Sequence, residues 1–416
     1  MVTDQLDRGV VRSEGPNGLV VVTESMPAFR SAAVGIWVRS ASAHDAREQM
    51  GAAHLLEHLV FKGTERRPAA DLARALETRG GSLDAYTSRD HTGYQAHVLD
   101  EDVPLAIDIL TDLVRRPLLR PEDLDLERNV VLEEIRAVDD TPEDLVFELQ
   151  SAALWPEHPY GYSILGTEET VGSISADTLR SVHRGGYYPG NCVVAAAGNL
   201  THQQVVDRLG AEGWFDDPVR VAPREPVRAG EGSRGTHRRV ERETAQAHLV
   251  WGTDTFPSRD PRRFGLAMLV NELGGGMASR LFQRVREELG LAYSVYAYQH
   301  LLRAAGVIGV YLGTSKDNVE AAAAAVEGEL RRLAVEGLAE DDLIANKRQF
   351  RGQLMLGLEH AASRMLRLAA FVLNDDRYRP LDELLAVVDR VTAAEVAATA
   401  AEFFSPERFT RVSLGA

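Results

Sequence analysis

Strand-like runs open each half of this chain. Leu19-Val-Val-Val-Thr23 and Ala33-Val-Gly-Ile-Trp-Val38 do so in the first half, His248-Leu-Val-Trp251 and Val307-Ile-Gly-Val-Tyr-Leu312 in the second. Their β-branched and aromatic content predicts strands. Helical periodicity fills the intervals, from Pro121 to Val138, Val319 to Leu333 and Leu381 to Phe404. In the first of these, Pro121 suits a first turn, Glu122 and Asp123 suit the positive end of the helix dipole, and Leu124, Val131, Ile135 and Val138 form an apolar stripe. Strands and helices mixed this way predict an α+β class, each half an antiparallel or mixed sheet with helices on one side.

The halves also resemble each other. Setting Ala32-Ala-Val-Gly-Ile-Trp37 on Ala247-His-Leu-Val-Trp-Gly252 brings Asp45-Ala-Arg47 onto Asp260-Pro-Arg262 and the segment 51–58 onto 266–273. Glu57 then falls on Glu272, while His54 and His58 fall on Leu269 and Leu273. With small offsets, Pro121-Glu-Asp-Leu124 meets Glu340-Asp-Asp-Leu343, and Glu134 meets Gln353. The expected organisation is a first domain over 1–216, a linker rich in proline, glycine and arginine over 217–236, and a degenerate second repeat over 237–416.

The stretch Gly51-Ala-Ala-His54-Leu-Leu-Glu57-His58-Leu-Val-Phe61 breaks the pattern, because it sets three polar groups into a helix that is otherwise apolar all round. At about 100° per residue, His58 lies roughly 40° from His54 and Glu57 roughly 60° to the other side. Neighbours four apart can reach one cation, and a cation removes the cost of burying the imidazoles without partners. Glu57 is close enough to take a proton from a water that such a cation activates. The order His-x-x-Glu-His reads as a zinc hydrolase. A catalytic zinc needs a third protein ligand. On the helix Pro121–Val138, Glu127 and Glu134 lie roughly 20° apart at the margin of the apolar stripe. Glu133 points toward solvent, so Glu134 is the expected ligand and Glu127 a supporting group that orients a ligand or shuttles a proton.

These residues carry a resemblance. His54-Leu-Leu-Glu57-His58 followed by Glu134, with Phe61-Lys-Gly-Thr64, Leu83-Asp-Ala-Tyr-Thr-Ser-Arg89, Glu127 to Ile135, His158-Pro-Tyr-Gly161, Leu273 to Phe282 and Val285 to Ser294, resembles the pitrilysin-type inverzincin peptidases. It is most similar to their mitochondrial-processing-peptidase-like branch. The resemblance implies two α/β-roll halves that form half of a clam-shell chamber. It implies one zinc per chain on His54, His58 and Glu134, with Glu57 as general base and Glu127 in support. Arg286 and Tyr293 would bind the substrate backbone and help stabilise the tetrahedral intermediate. Substrate peptide would add as a strand along Asp84-Ala85-Tyr86-Thr87; the family more often has Asn where this chain has Asp84. A homodimer would complete the chamber. The rival expectation is a structural subunit of the same fold without peptidase activity.

Composition narrows the partners. Basic residues number 46 and acidic ones 62, a net charge of −16. Nucleic acid is therefore a poor partner, and basic peptides are the better substrate if acidic groups line the site. No apolar run approaches a membrane span, and no signal-peptide pattern opens the chain. With a single cysteine, Cys192 in an apolar run, the expected location is cytoplasmic. Gly274-Gly-Gly276 lacks the lysine and the strand context of a phosphate loop and reads as a flexible or tightly turning segment near bound peptide.

Overall fold

Alternate residues of the strand Ser31–Val38 face two different hydrophobic layers, which places it in the middle of a sheet. Ala32, Val34, Ile36 and Val38 pack into one cluster, while Ala33 and Trp37 pack into another. The computed structural model describes residues 1–220, 227 and 230–416. Seven strands form the first sheet: β1 (Val2–Asp7), β2 (Val10–Glu14), β3 (Val20–Ser25), β4 (Ser31–Val38), β5 (Ser82–Thr87), β6 (Thr92–Leu99) and β7 (Cys192–Gly198). Their spatial order is β1-β2-β3-β7-β4-β6-β5. Only β3 and β7 run parallel; the other neighbours are antiparallel. The second sheet holds β8 (His237–Val240), β9 (Ala247–Thr255), β10 (Ala292–Leu301), β11 (Gly306–Thr314) and β12 (Thr410–Leu414), in the order β10-β11-β9-β12-β8. The fold is mixed α+β, two sheets flanked by helices.

Contacts divide the chain into two compact units, one per sheet. Unit 1 is Met1–Ile135, Ser163–Val227 and Met355–Pro380; unit 2 is Arg136–Tyr162, Arg228–Leu354 and Leu381–Ala416. Set against the expected domains 1–216 and 237–416, each unit takes one segment from the other half of the sequence. The reason is burial. The central strands of the first sheet are apolar on both faces, and the helix Ala361–Leu373 covers the second face with Ala361, Met365, Leu368 and Ala369. In unit 2 a helix from the first half does the same: Val146 packs with Val250, Tyr311, Val412 and Leu414. Helices therefore lie on both faces, where one side was expected. Of the expected linker 217–236, residues 221–226 and 228–229 lie outside the described residues.

Four helices of unit 1 bear on the site: α1 (Ala52–Val60), α2 (Ala69–Glu77), α3 (Val103–Arg115) and α4 (Pro121–Asp140). The boundary between units falls within α4, after Ile135. A further helix, α5 (Pro142–Leu154), carries Val146 in unit 2. The pattern expected as one helix from Leu381 to Phe404 is two, Leu381–Asp389 and Ala393–Phe403. Thr392 starts the second: its hydroxyl accepts the Glu395 N–H at 3.3 Å, and the Glu395 carboxylate accepts the Thr392 N–H at 2.8 Å. That reciprocal cap overrides a continuous apolar stripe.

Candidate metal centre

Gly51 starts α1 with φ at +89°, and a side chain there would strike the Leu165 carbonyl oxygen at 2.5 Å. Only glycine enters the helix at that angle. Along α1, Ala52, Ala53, Leu55, Leu56, Leu59 and Val60 are at most 3% exposed. This burial holds His54, Glu57 and His58 in place; the two imidazoles lie near the carboxylates of α4, and Glu57 meets Thr87 of β5. On α4, Leu124 and Val131 are buried in the same core, Glu127 is buried, and Glu133 is exposed as expected.

The Nε2 atoms of His54 and His58 lie 3.6 and 3.7 Å from one oxygen of Glu134. These separations are too long for hydrogen bonds. One ligand atom from each residue can be chosen so that all lie within 4.8 Å of one another. Tetrahedral ligands about 2.1 Å from a zinc ion would stand roughly 3.4 Å apart. The donor set therefore fits a divalent cation of zinc's size, and among the described residues it is the only such group. The two imidazoles meet edge to face with ring centres 4.6 Å apart. Burial, and then the positive charge of His58, lower the pKa of His54 to about 4. His54 is thus a neutral imidazole at neutral pH, the form that binds metal.

Glu57 is 9% exposed, and burial raises its pKa. One hydrogen bond opposes that shift: the Thr87 hydroxyl donates to Oε2 at 2.6 Å. The hydroxyls of the buried Tyr94 and the partly buried Tyr187 meet at 2.9 Å. On the other side of His58, its Nδ1–H donates to Glu127 Oε2 at 3.1 Å, and Lys62 Nζ lies 2.5 Å from Glu127 Oε1. Sequence reasoning missed Thr87 and Lys62 as members of the site. Lys62 stood in a quoted motif, four residues after His58 and thus near the same face; that spacing was the signal.

Thr87 comes from β5, the last strand of the first sheet on that side. The Ser88 N–H bonds to the His91 carbonyl at 2.9 Å and closes the β5–β6 hairpin. From that pair the antiparallel ladder alternates, so Tyr86 and Asp84 bond to Gly93 and Gln95. Leu83, Ala85 and Thr87 turn their N–H and C=O groups to the open edge. Ala85 is therefore placed to bond an added strand. Asp84, whose backbone turns inward, offers only its exposed side chain.

Arg286 and Tyr293 belong to unit 2. The Arg286 guanidinium lies 4.6 Å from the Tyr293 ring centre and 4.7 Å from that of Phe282. Tyr293 is 77% exposed. Unit 2 also holds the positions that the sequence alignment of the halves sets against His54, Glu57 and His58. Leu269 and Leu273 are buried in its core, and Glu272 accepts from Asn346 at 2.8 Å and from Arg280 at 3.3 Å. Fixed cationic and amide donors hold that carboxylate.

Two family models match the chain. Residues 20–168 match the family model for insulinase-type peptidases of family M16, and residues 173–350 match the model described as the M16 inactive domain. An uncharacterised zinc protease of Streptomyces coelicolor is 39% identical over 398 residues, 94% of this chain and 86% of that one. One from Bacillus subtilis is 36% identical over 391 residues, 94% of this chain and 95% of that one. The fold is similar to the crystal structure of a protease from Helicobacter pylori, with a TM-score of 0.91, 20% identity, and coverage of 98% and 99% of the two chains. The chain belongs to the M16 peptidase family. No helix among the described residues is long and apolar enough to cross a membrane.

Proposed function

We propose that this chain is a zinc-dependent endopeptidase that cleaves extended peptides. The observation that carries the reading is the convergence of His54, His58 and Glu134 beside a buried Glu57 and an open strand edge. His54 Nε2, His58 Nε2 and a Glu134 oxygen would hold one zinc ion. When bound, zinc supplies Lewis-acid activation of water and of the scissile carbonyl. Glu57 accepts the proton of the attacking water and returns it to the leaving amine. Thr87 leaves the other Glu57 oxygen to do this. Substrate adds to β5 as a strand bonded to Leu83 and Ala85, a mode that reads length and extension more than side-chain identity.

Arg286 and Tyr293 hold the substrate backbone and contribute donors to the oxyanion, each worth about 3 kcal/mol when well placed. The net charge of −16 favours basic peptides. The chain works as a homodimer in the cytoplasm; its sole cysteine, Cys192, is buried and unpaired, in keeping with a reducing compartment. The test is removal and return of metal. Chelation should abolish cleavage of a quenched basic peptide, and one equivalent of zinc per chain should restore it. Activity that survives chelation, with zinc absent by elemental analysis, would rule the reading out.

A further inference from the structure

We propose that Lys62 is a positioning residue for the metal, acting through Glu127 to fix the His58 imidazole. This rests on the reading that His54, His58 and Glu134 hold a divalent cation. Glu127 is 5% exposed, and a carboxylate so deeply placed needs partners for both oxygens. It has one for each: Lys62 Nζ at 2.5 Å from Oε1, and His58 Nδ1 at 3.1 Å from Oε2. Lys62 lies just past the C-terminal end of α1. Its backbone is tied on both sides, its N–H to the Leu59 carbonyl at 3.1 Å and its carbonyl to the Arg120 guanidinium at 3.1 Å. The ammonium group therefore approaches Glu127 from an anchored turn and not from a loose loop.

The geometry has two consequences. First, Lys62 pins Oε1, so Oε2 stays aimed at Nδ1; with the imidazole proton held at Nδ1, the Nε2 lone pair points to the metal position. Second, the Lys62 charge offsets that of Glu127. The carboxylates left facing the metal position are Glu57 and Glu134, a formal charge opposite to that of a dication. His54 has no such support. Its Nδ1 is buried without a hydrogen-bond partner among the described residues. Among the described residues, hydrogen-bonded support of the ligand imidazoles behind the metal position therefore runs through His58, Glu127 and Lys62.

A lysine that merely tied α1 to α4 would stabilise the fold and leave metal affinity alone. The deciding measurement is zinc affinity, by competition with a chromophoric chelator, in wild type, K62M, K62R, E127Q and K62M/E127Q. Melting of each metal-free form is followed alongside. Loss of an outer partner of a metal ligand typically weakens affinity by about 10–100-fold. K62M and E127Q should each fall in that range, K62R should stay near wild type, and the double variant should bind no more weakly than E127Q. The inference is overturned if K62M binds zinc like wild type, or if it weakens E127Q by as much again. It is also overturned if the loss in affinity merely tracks a lowered melting temperature. A wild-type chain that binds no zinc would fail the metal reading itself, and the inference with it.

Discussion

Thr87→Val removes one hydroxyl from the site and keeps the shape of the side chain. In the wild type that hydroxyl donates to Glu57 Oε2 at 2.6 Å, in surroundings where Glu57 is 9% exposed. A hydrogen bond to a charged group contributes about 1.5–3 kcal/mol. The bond stabilises the carboxylate form, and it opposes the upward pKa shift that burial imposes. Its loss therefore raises the Glu57 pKa further, and the active, ionised fraction at a given acidic pH falls. At 1.36 kcal/mol per factor of ten, kcat/KM on the acid limb should drop by about 10–100-fold. Toward alkaline pH, where both enzymes are ionised, the rates should converge. Thr87→Ser should follow wild type. The assay is the pH profile of peptide cleavage by the three proteins, at equal measured zinc content. Superimposable profiles would refute the reasoning. So would a uniform loss at every pH, which would make Thr87 a support for the fold and not for the charge.

Replacing His54 by leucine copies what unit 2 has at the matching position, Leu269. The folded-state pKa of His54, about 4, lies below its ordinary value of 6.5. The unfolded chain binds the extra proton first, so the metal-free fold loses on the order of 3 kcal/mol as pH falls from 6.5 through about 4. Denaturant unfolding of chelated H54L should lack that acid slope and show no loss of stability at neutral pH, while zinc binding disappears; an unchanged slope would contradict it. Ala85→Pro removes an N–H from the open edge of β5, so KM for a long peptide should rise with zinc content unchanged, and an unaltered KM would count against strand addition. Arg286→Ala and Tyr293→Phe should each lower kcat by about 100–1000-fold without zinc loss, the cost of one lost transition-state donor; wild-type kcat in either would remove that residue from the reaction.

Much of the site was legible because its signals are local. The spacing of His54, Glu57 and His58 on one apolar helix needs only helical geometry, and the same argument separated Glu134 from Glu133. The internal repeat also told correctly that Leu269 and Leu273 occupy core positions in the second half. What stayed hidden depends on pairing between distant segments. Nothing in the sequence of β4 says that the helix Ala361–Leu373 covers its second face, because an apolar strand buried on both sides reads the same whichever helix covers it. Thr87 was quoted as part of an edge strand, yet its bond to Glu57 depends on which way the strand's side chains alternate against α1. Lys62 shows its role only once α4 brings Glu127 to it. Ladder phase, likewise, is what separates Ala85 from Asp84 at the open edge.

The central claim is that Glu57 transfers the proton for hydrolysis at a zinc held by His54, His58 and Glu134. The most direct test compares wild type with Glu57→Gln for bound zinc and for cleavage of a long basic peptide. The account predicts one zinc per chain in both proteins and cleavage by the wild type alone, with the variant reduced by at least about 100-fold, the lower range for a general acid–base group. A Glu57→Gln protein that keeps its zinc and cleaves at near wild-type rate would contradict it.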